Sequence, residues 1–142
     1  MGSKIRGALM FSIVGIDHLV LRTSKLQEML DFYCEVLGCS VERETPVELG
    51  LTQLRAGNAL IDIVVVDSDL GKAGGGAPTK EDNNLDHFCL QLKPIKEEEI
   101  KKHLMQHGIE VGVFDERYGA QGFGKSVYIK DPEGNTVELK SL

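Results

Sequence analysis

The chain has 142 residues, 42% of them hydrophobic and 27% charged, and a formal net charge of −6. That is the scale of one ordinary globular domain, or of two very small modules sharing a core. The negative balance and the absence of a basic cluster exclude a nucleic-acid partner, which needs a cationic face for phosphates, and no apolar run approaches the roughly 18 residues that cross a bilayer.

The first residues, Met1-Gly2-Ser3-Lys4-Ile5-Arg6 and the apolar stretch to Ile16, imitate a signal peptide only faintly. The stretch runs straight into the first expected strand, so it reads as a loose N-terminal arm, and the expected location is cytoplasmic. That strand, over 15–23, alternates: Ile16, His18, Val20 and Arg22 share one face, Asp17, Leu19 and Leu21 the other. Ser24 then opens a helix, with Gln27 completing a capping box in which each side chain satisfies the other residue's free backbone N–H. Leu26, Leu30, Tyr33, Cys34 and Leu37 form one apolar stripe, and Gly38 ends the helix.

Strands are expected over 39–44, 49–55 and 59–66, the last two joined by a hairpin turn at Gly57-Asn58. The stretch 67–84, with Gly71, Gly74, Gly75, Gly76 and Pro78, reads as a mobile surface linker. The order then repeats: a strand over 84–92, a helix over 94–107 capped by Gly108, a short strand over 110–115, a loop over 118–124, and strands over 125–130 and 136–140 around a turn at Asp131-Pro132-Glu133-Gly134-Asn135. Lys96, Lys101 and Lys102, interleaved with Glu97, Glu98 and Glu99, make a solvated helix face. Cys34, Cys39 and Cys89 are odd in number and lack CxxC spacing, which suits reduced thiols. The expectation is an α+β fold in a single domain, 1–142. Module one spans 15–66, the linker 67–83 and module two 84–140. Each is βαβββ, related by pseudo-twofold symmetry, with mixed or antiparallel sheet curved around a cleft and helices outside.

The repetition extends to individual residues. Ile16-Asp17-His18-Leu19-Val20-Leu21 reappears as Leu85-Asp86-His87-Phe88-Cys89-Leu90, and Gly57-Asn58-Ala59-Leu60-Ile61-Asp62-Ile63 resembles Gly134-Asn135-Thr136-Val137-Glu138-Leu139. A lone strand histidine is most often a packed or surface residue, and a carboxylate between aliphatics can simply point outward. Two histidines and two acids at matched places instead suggest one metal site built by two modules. Imidazole nitrogens and carboxylate oxygens suit Zn²⁺, Ni²⁺, Co²⁺, Mn²⁺ or Fe²⁺, and two histidines with one carboxylate leave positions open for water or substrate. His103 and His107 are one helical turn apart, but no glutamate follows the first and their neighbours are solvated. Tyr128, on one face with Ser126 and Gly124, could hydrogen-bond a developing oxyanion or simply pack. Arg22 and Gln91 share the histidine faces, and Cys89 there could be a pocket wall or a thiol.

These stretches, with Asp31-Phe32-Tyr33, Val36-Leu37-Gly38 and the run from Ser126 to Leu139, resemble the vicinal oxygen chelate superfamily over nearly the whole chain, Gly15 to Lys140. That superfamily contains glyoxalase I, bleomycin-resistance proteins, extradiol dioxygenases, fosfomycin-resistance enzymes and methylmalonyl-CoA epimerase. The resemblance implies paired βαβββ modules, a homodimer whose sites can be shared between subunits, a small-molecule substrate, and metal ligands at His18, His87 and Glu138. Glyoxalase I has a glutamate ligand at the place of Asp62, and epimerases a glutamine. Aspartate is one methylene shorter, so it would reach a metal through water, or serve as base or hydrogen-bond acceptor. Bleomycin-resistance proteins bind drug without metal, and keeping both histidines and Glu138 argues against that class. Extradiol dioxygenases match at Tyr128, but their further active-site histidines have no counterpart. Fosfomycin enzymes carry threonine where Val20 stands. The resemblance therefore implies a metal-dependent glyoxalase-like lyase or isomerase, with Asp62 and Tyr128 as catalytic candidates. A ring-cleaving Fe²⁺ dioxygenase is the alternative enzyme, and a drug-sequestering binder the alternative of another class. No residue pattern indicates glutathione, which leaves a thiol cofactor open.

Overall fold

The computed structural model describes residues 10–142, so residues 1–9 of the expected N-terminal arm lie outside the described residues. Module one runs β1 (His18–Thr23), α1 (Leu26–Leu30), a π-helical continuation of α1 (Asp31–Val36), β2 (Ser40–Glu44), β3 (Leu51–Ala56) and β4 (Ala59–Val65). Module two runs β5 (His87–Leu92), α2 (Glu97–Gln106), β6 (Asp115–Gly119), β7 (Gly122–Lys130) and β8 (Thr136–Ser141). Both adopt the expected βαβββ order. The strands form two four-stranded mixed sheets, β1-β4-β3-β2 and β5-β8-β7-β6, with β1 parallel to β4 and β5 parallel to β8. Among the described residues, no helix is long and apolar enough to cross a membrane.

Alternation divides each strand between two faces. Leu21, Ile61 and Ile63 of the first sheet and Val127, Ile129, Val137 and Leu139 of the second enter a single core with Met29, Phe32 and Tyr33 of the first helix and Ile100 and Leu104 of α2. His18, Asp62, His87 and Glu138 sit at the alternate positions, on the faces turned away from that core. The π-helical turn lets the consecutive Phe32 and Tyr33 both bury, because a wider turn brings successive side chains closer in direction.

Polar contacts tie the modules together on the core side. The Tyr33 hydroxyl donates to Asp131 Oδ2 at 2.7 Å. Glu133 Oε2 accepts from the Thr23 hydroxyl at 2.6 Å and the Ser24 backbone N–H at 2.8 Å. That contact replaces the expected capping box: Ser24 turns to Glu133, Gln27 donates to Asp31 Oδ1 instead, and the helix begins without a side-chain cap. Asp131 also accepts from the backbone N–H groups of Glu133 and Asn135 and from the Asn135 amide. Asp131→Ala strips the buried Tyr33 hydroxyl and this turn of their acceptor together. It should lower stability by about 3 kcal/mol, read as a drop in the urea midpoint without a change in slope.

Two further expectations change. Residues 118–124 are not a loop: Tyr118 pairs with Phe123 and Gly119 with Gly122 in a β6–β7 hairpin, and the Tyr118 and Phe123 rings meet edge to face at 4.9 Å. The start of the linker is pinned rather than free. Arg22, on the outer face of β1, donates to the carbonyls of Gly71 and Gly76, each at 3.0 Å, and of Gly75 at 2.5 Å. A Cβ on Gly71 would fall 1.8 Å from the Val65 carbonyl oxygen and one on Gly74 would fall 2.3 Å from Arg22 Nε, so only glycine lets the chain pass this close.

Candidate functional site

The same short pattern recurs at both histidines. Asp17 Oδ1 lies 2.6 Å from His18 Nδ1, and Asp86 Oδ2 lies 2.6 Å from His87 Nδ1. An ionised carboxylate can only accept, so each aspartate places the imidazole proton on Nδ1 and leaves the Nε2 lone pair free to bind an electrophile. The Asp17 hydrogen bond also raises the pKa of His18 above its ordinary value, with Asp62 adding to the effect.

Strand register then brings an acid to each histidine. On β1 and β4, Val20 pairs with Asp62, two residues after His18. On β5 and β8, Cys89 pairs with Glu138, two residues after His87. His87 Nε2 lies 3.2 Å from Glu138 Oε1. Tyr128 is the cross-strand partner of Glu138, its ring meets His87 edge-on at 5.2 Å, and the Arg117 guanidinium sits 4.4 Å from its centroid. Asp62 is buried, with 3% exposure; Gln53 donates to its Oδ2 at 3.1 Å, and its buried Oδ1 has no hydrogen-bond partner among the described residues. The structure thus brings His87, Glu138 and Tyr128 together on sheet two and sets His18 and Asp62 on sheet one. Among the described residues, no three His, Cys, Asp or Glu side chains of the chain are grouped to hold one ion.

His103 and His107 lie apart from this arrangement. His103 Nε2 lies 2.7 Å from the Val36 carbonyl, which ties α2 to the first helix, and His107 Nδ1 lies 3.0 Å from the His103 carbonyl one turn back.

Residues 15–139 match the Glyoxalase/Bleomycin resistance protein/Dioxygenase superfamily. The chain belongs to this superfamily. It is 28% identical over 127 residues to the catechol-2,3-dioxygenase of Bacillus subtilis, a match covering 89% of the chain but 40% of that longer protein. It is 32% identical to virulence protein STM3117 of Salmonella typhimurium, over 87% of the chain and 81% of the relative. The crystal structure of that protein superimposes with a TM-score of 0.68, covering 92% of this chain and 98% of the other. Lactoylglutathione lyase from Agrobacterium tumefaciens shares the fold at 24% identity and a TM-score of 0.65, over 91% and 94% of the two chains.

Three site residues are not evident from sequence reasoning alone. Asp17 and Asp86 are present in the repeat, but strict alternation assigns Asp17 to the wrong face. β1 and β5 begin at the histidines, so each aspartate precedes its strand and can turn back. Gln53 becomes visible only through its register opposite Asp62.

Cys89 shares the outward face with His87 and Glu138 and is exposed. Partial burial, and then the Glu138 charge, push its thiol up to about 11. At pH 7.5 it should therefore carry at least two orders of magnitude less thiolate than an ordinary cysteine. Iodoacetamide labelling followed by mass spectrometry should show Cys89 reacting slowly at pH 7.5, with a rate still climbing above pH 9. Rapid labelling at neutral pH would contradict this assignment.

Proposed function

We propose that the protein is a metal-dependent lyase or isomerase of the glyoxalase type. It takes a small substrate through two neighbouring oxygens, at a site assembled from module one of one copy and module two of a second. The observation that carries this reading is the duplicated aspartate–histidine clamp, each with an acid on the adjoining strand.

The donor set fits a divalent ion of the Zn²⁺, Ni²⁺, Co²⁺, Mn²⁺ or Fe²⁺ type. With the proton of His87 held on Nδ1, its Nε2 lone pair and Glu138 Oε1 are two acceptors at 3.2 Å, an arrangement that repels unless positive charge lies against both. Beside His18, the buried Oδ1 of Asp62 has no hydrogen-bond partner among the described residues, which leaves it free to accept a proton. His18, His87 and Glu138 would hold the ion, which when bound supplies Lewis-acid polarisation of the substrate oxygens.

The remaining groups act on protons and position. Gln53 fixes one oxygen of Asp62, leaving the other to take a proton from a carbon beside a carbonyl and return it to the neighbouring carbon. The short aspartate side chain favours this basic role over direct ligation. Tyr128, held between His87 and Arg117, would orient a substrate oxygen, and its hydroxyl can donate to a developing oxyanion.

The orientation of the faces supports a shared site. Both sheets turn their core sides into one cluster, so the histidine faces of a single chain look outward and away from it. A second copy, related by a twofold axis, can bring its own histidine face against each of them.

The decisive experiment is metal analysis of the purified protein followed by anaerobic isomerisation of a hemithioacetal. Bound metal with turnover supports the proposal, whereas a protein with no affinity for any divalent metal overturns it. A second reading, an Fe²⁺ ring-cleaving dioxygenase, is favoured by the similarity to catechol-2,3-dioxygenase and by the two-histidine, one-carboxylate set. Oxygen uptake with catechol by the Fe²⁺-loaded protein, without hemithioacetal turnover, would select it.

A further inference from the structure

Lys140 is a buried cation that the proposed chemistry does not use. It lies two residues beyond Glu138 on β8, on the same outward face, with Gln91 and Ser126 as its cross-strand partners. It is 3% exposed, which is unusual for lysine. Its side chain runs across the sheet over two glycines. A Cβ at Gly124 would come within 3.3 Å of Lys140 Cε, and one at Gly119 within 3.5 Å of Nζ.

The ammonium donates to the Gly122 carbonyl at 2.6 Å, yet it has three protons to donate. Among the described residues, no carboxylate lies within ion-pair distance of it. Burying an ammonium without a counter-charge is costly, and anchoring a carbonyl needs only a neutral donor. Beside it, a cavity of about 330 Å³ has Lys140, Lys125, Glu97, Gln91, Gly124 and Phe123 in its lining, two cations against one carboxylate among them.

From this geometry we infer that Lys140 is the binding residue for a carboxylate arm of the substrate. The site then takes small oxygen chelators that carry a carboxylate in preference to neutral ones. The inference rests on the chelation reading for the substrate's other end, but the anion subsite can be tested without metal. The metal-free full-length protein is titrated with benzoate and with its neutral isostere benzamide, following the backbone amide NMR signals of Gln91, Gly124 and Lys140.

Benzoate should bind there about 10- to 100-fold more tightly, the discrimination expected of a charge-assisted hydrogen bond. Lys140→Met keeps the apolar stem across the glycines and should abolish the preference, whereas Lys140→Arg should retain it. Equal binding of the two probes overturns the inference. So does a Lys140→Met protein that melts at a lower temperature but still prefers benzoate, because the lysine would then only pin the hairpin. Failure of the chelation reading shows separately, as absent metal uptake by the wild type.

Discussion

His87→Ala should abolish divalent-metal binding at the proposed site. His87 is the residue on which three groups converge: Asp86 fixes its tautomer at 2.6 Å, Glu138 meets its free nitrogen at 3.2 Å, and Tyr128 packs against its ring. Removing the imidazole deletes a proposed ligand and leaves Glu138, at 6% exposure, without its neighbour. The loss of metal affinity should exceed the roughly 10- to 100-fold typical when only a ligand's hydrogen-bond partner is removed. Asp86→Asn should fall within that smaller range, because an amide can donate to Nδ1 and release the wrong tautomer. Titration with Co²⁺, followed by its visible absorption, measures both variants against the wild type. Unchanged affinity in His87→Ala would refute the assignment of His87 to the site.

Much of this arrangement was legible in the sequence because it is written twice. Period-two alternation places His18 and His87 opposite the core residues, and the second repeat, Asp62 and Glu138, falls on the strands that pair with β1 and β5. The register makes the two halves equivalent, with each acid paired two residues beyond its histidine. Local patterns failed where a distant residue offered a better partner. The capping box of Ser24 and Gln27 is sound chemistry in isolation, but Glu133 reaches Ser24 from 109 residues away and satisfies the same N–H with an ionised acceptor. The glycines of 118–124 read as a loop because no single-strand pattern shows that Gly119 and Gly122 close a hairpin, or that Gly124 clears the way for Lys140. The linker looked unstructured for a related reason: its anchor is Arg22, far back on β1, which binds its carbonyls and not its side chains.

Mixing two inactive variants should restore metal sites if each site is built by two copies. His18→Ala retains an intact module-two half, with His87 and Glu138. His87→Ala retains an intact module-one half, with His18 and Asp62. Neither variant alone can assemble a complete site. After denaturation and refolding together, random association makes half of the dimers mixed, and each mixed dimer joins the two intact halves at one of its two sites. About a quarter of the wild-type metal sites should return under twofold assembly, measured by bound Co²⁺ per chain, with turnover recovering in the same proportion if the site is catalytic. The contacts within one chain make this outcome specific. Tyr33–Asp131, Thr23–Glu133 and the shared apolar core hold the two modules by their helix-side faces, and bringing the histidine faces together within one chain would require breaking all of them. If the modules did pair within one chain, the mixture would stay as empty as its components, and an equal mixture of wild type with a double variant carrying both substitutions would keep about half of the sites, against about a quarter for sites shared between copies. The complementation result therefore separates the two assemblies through the number of sites recovered, independently of which reaction the site performs.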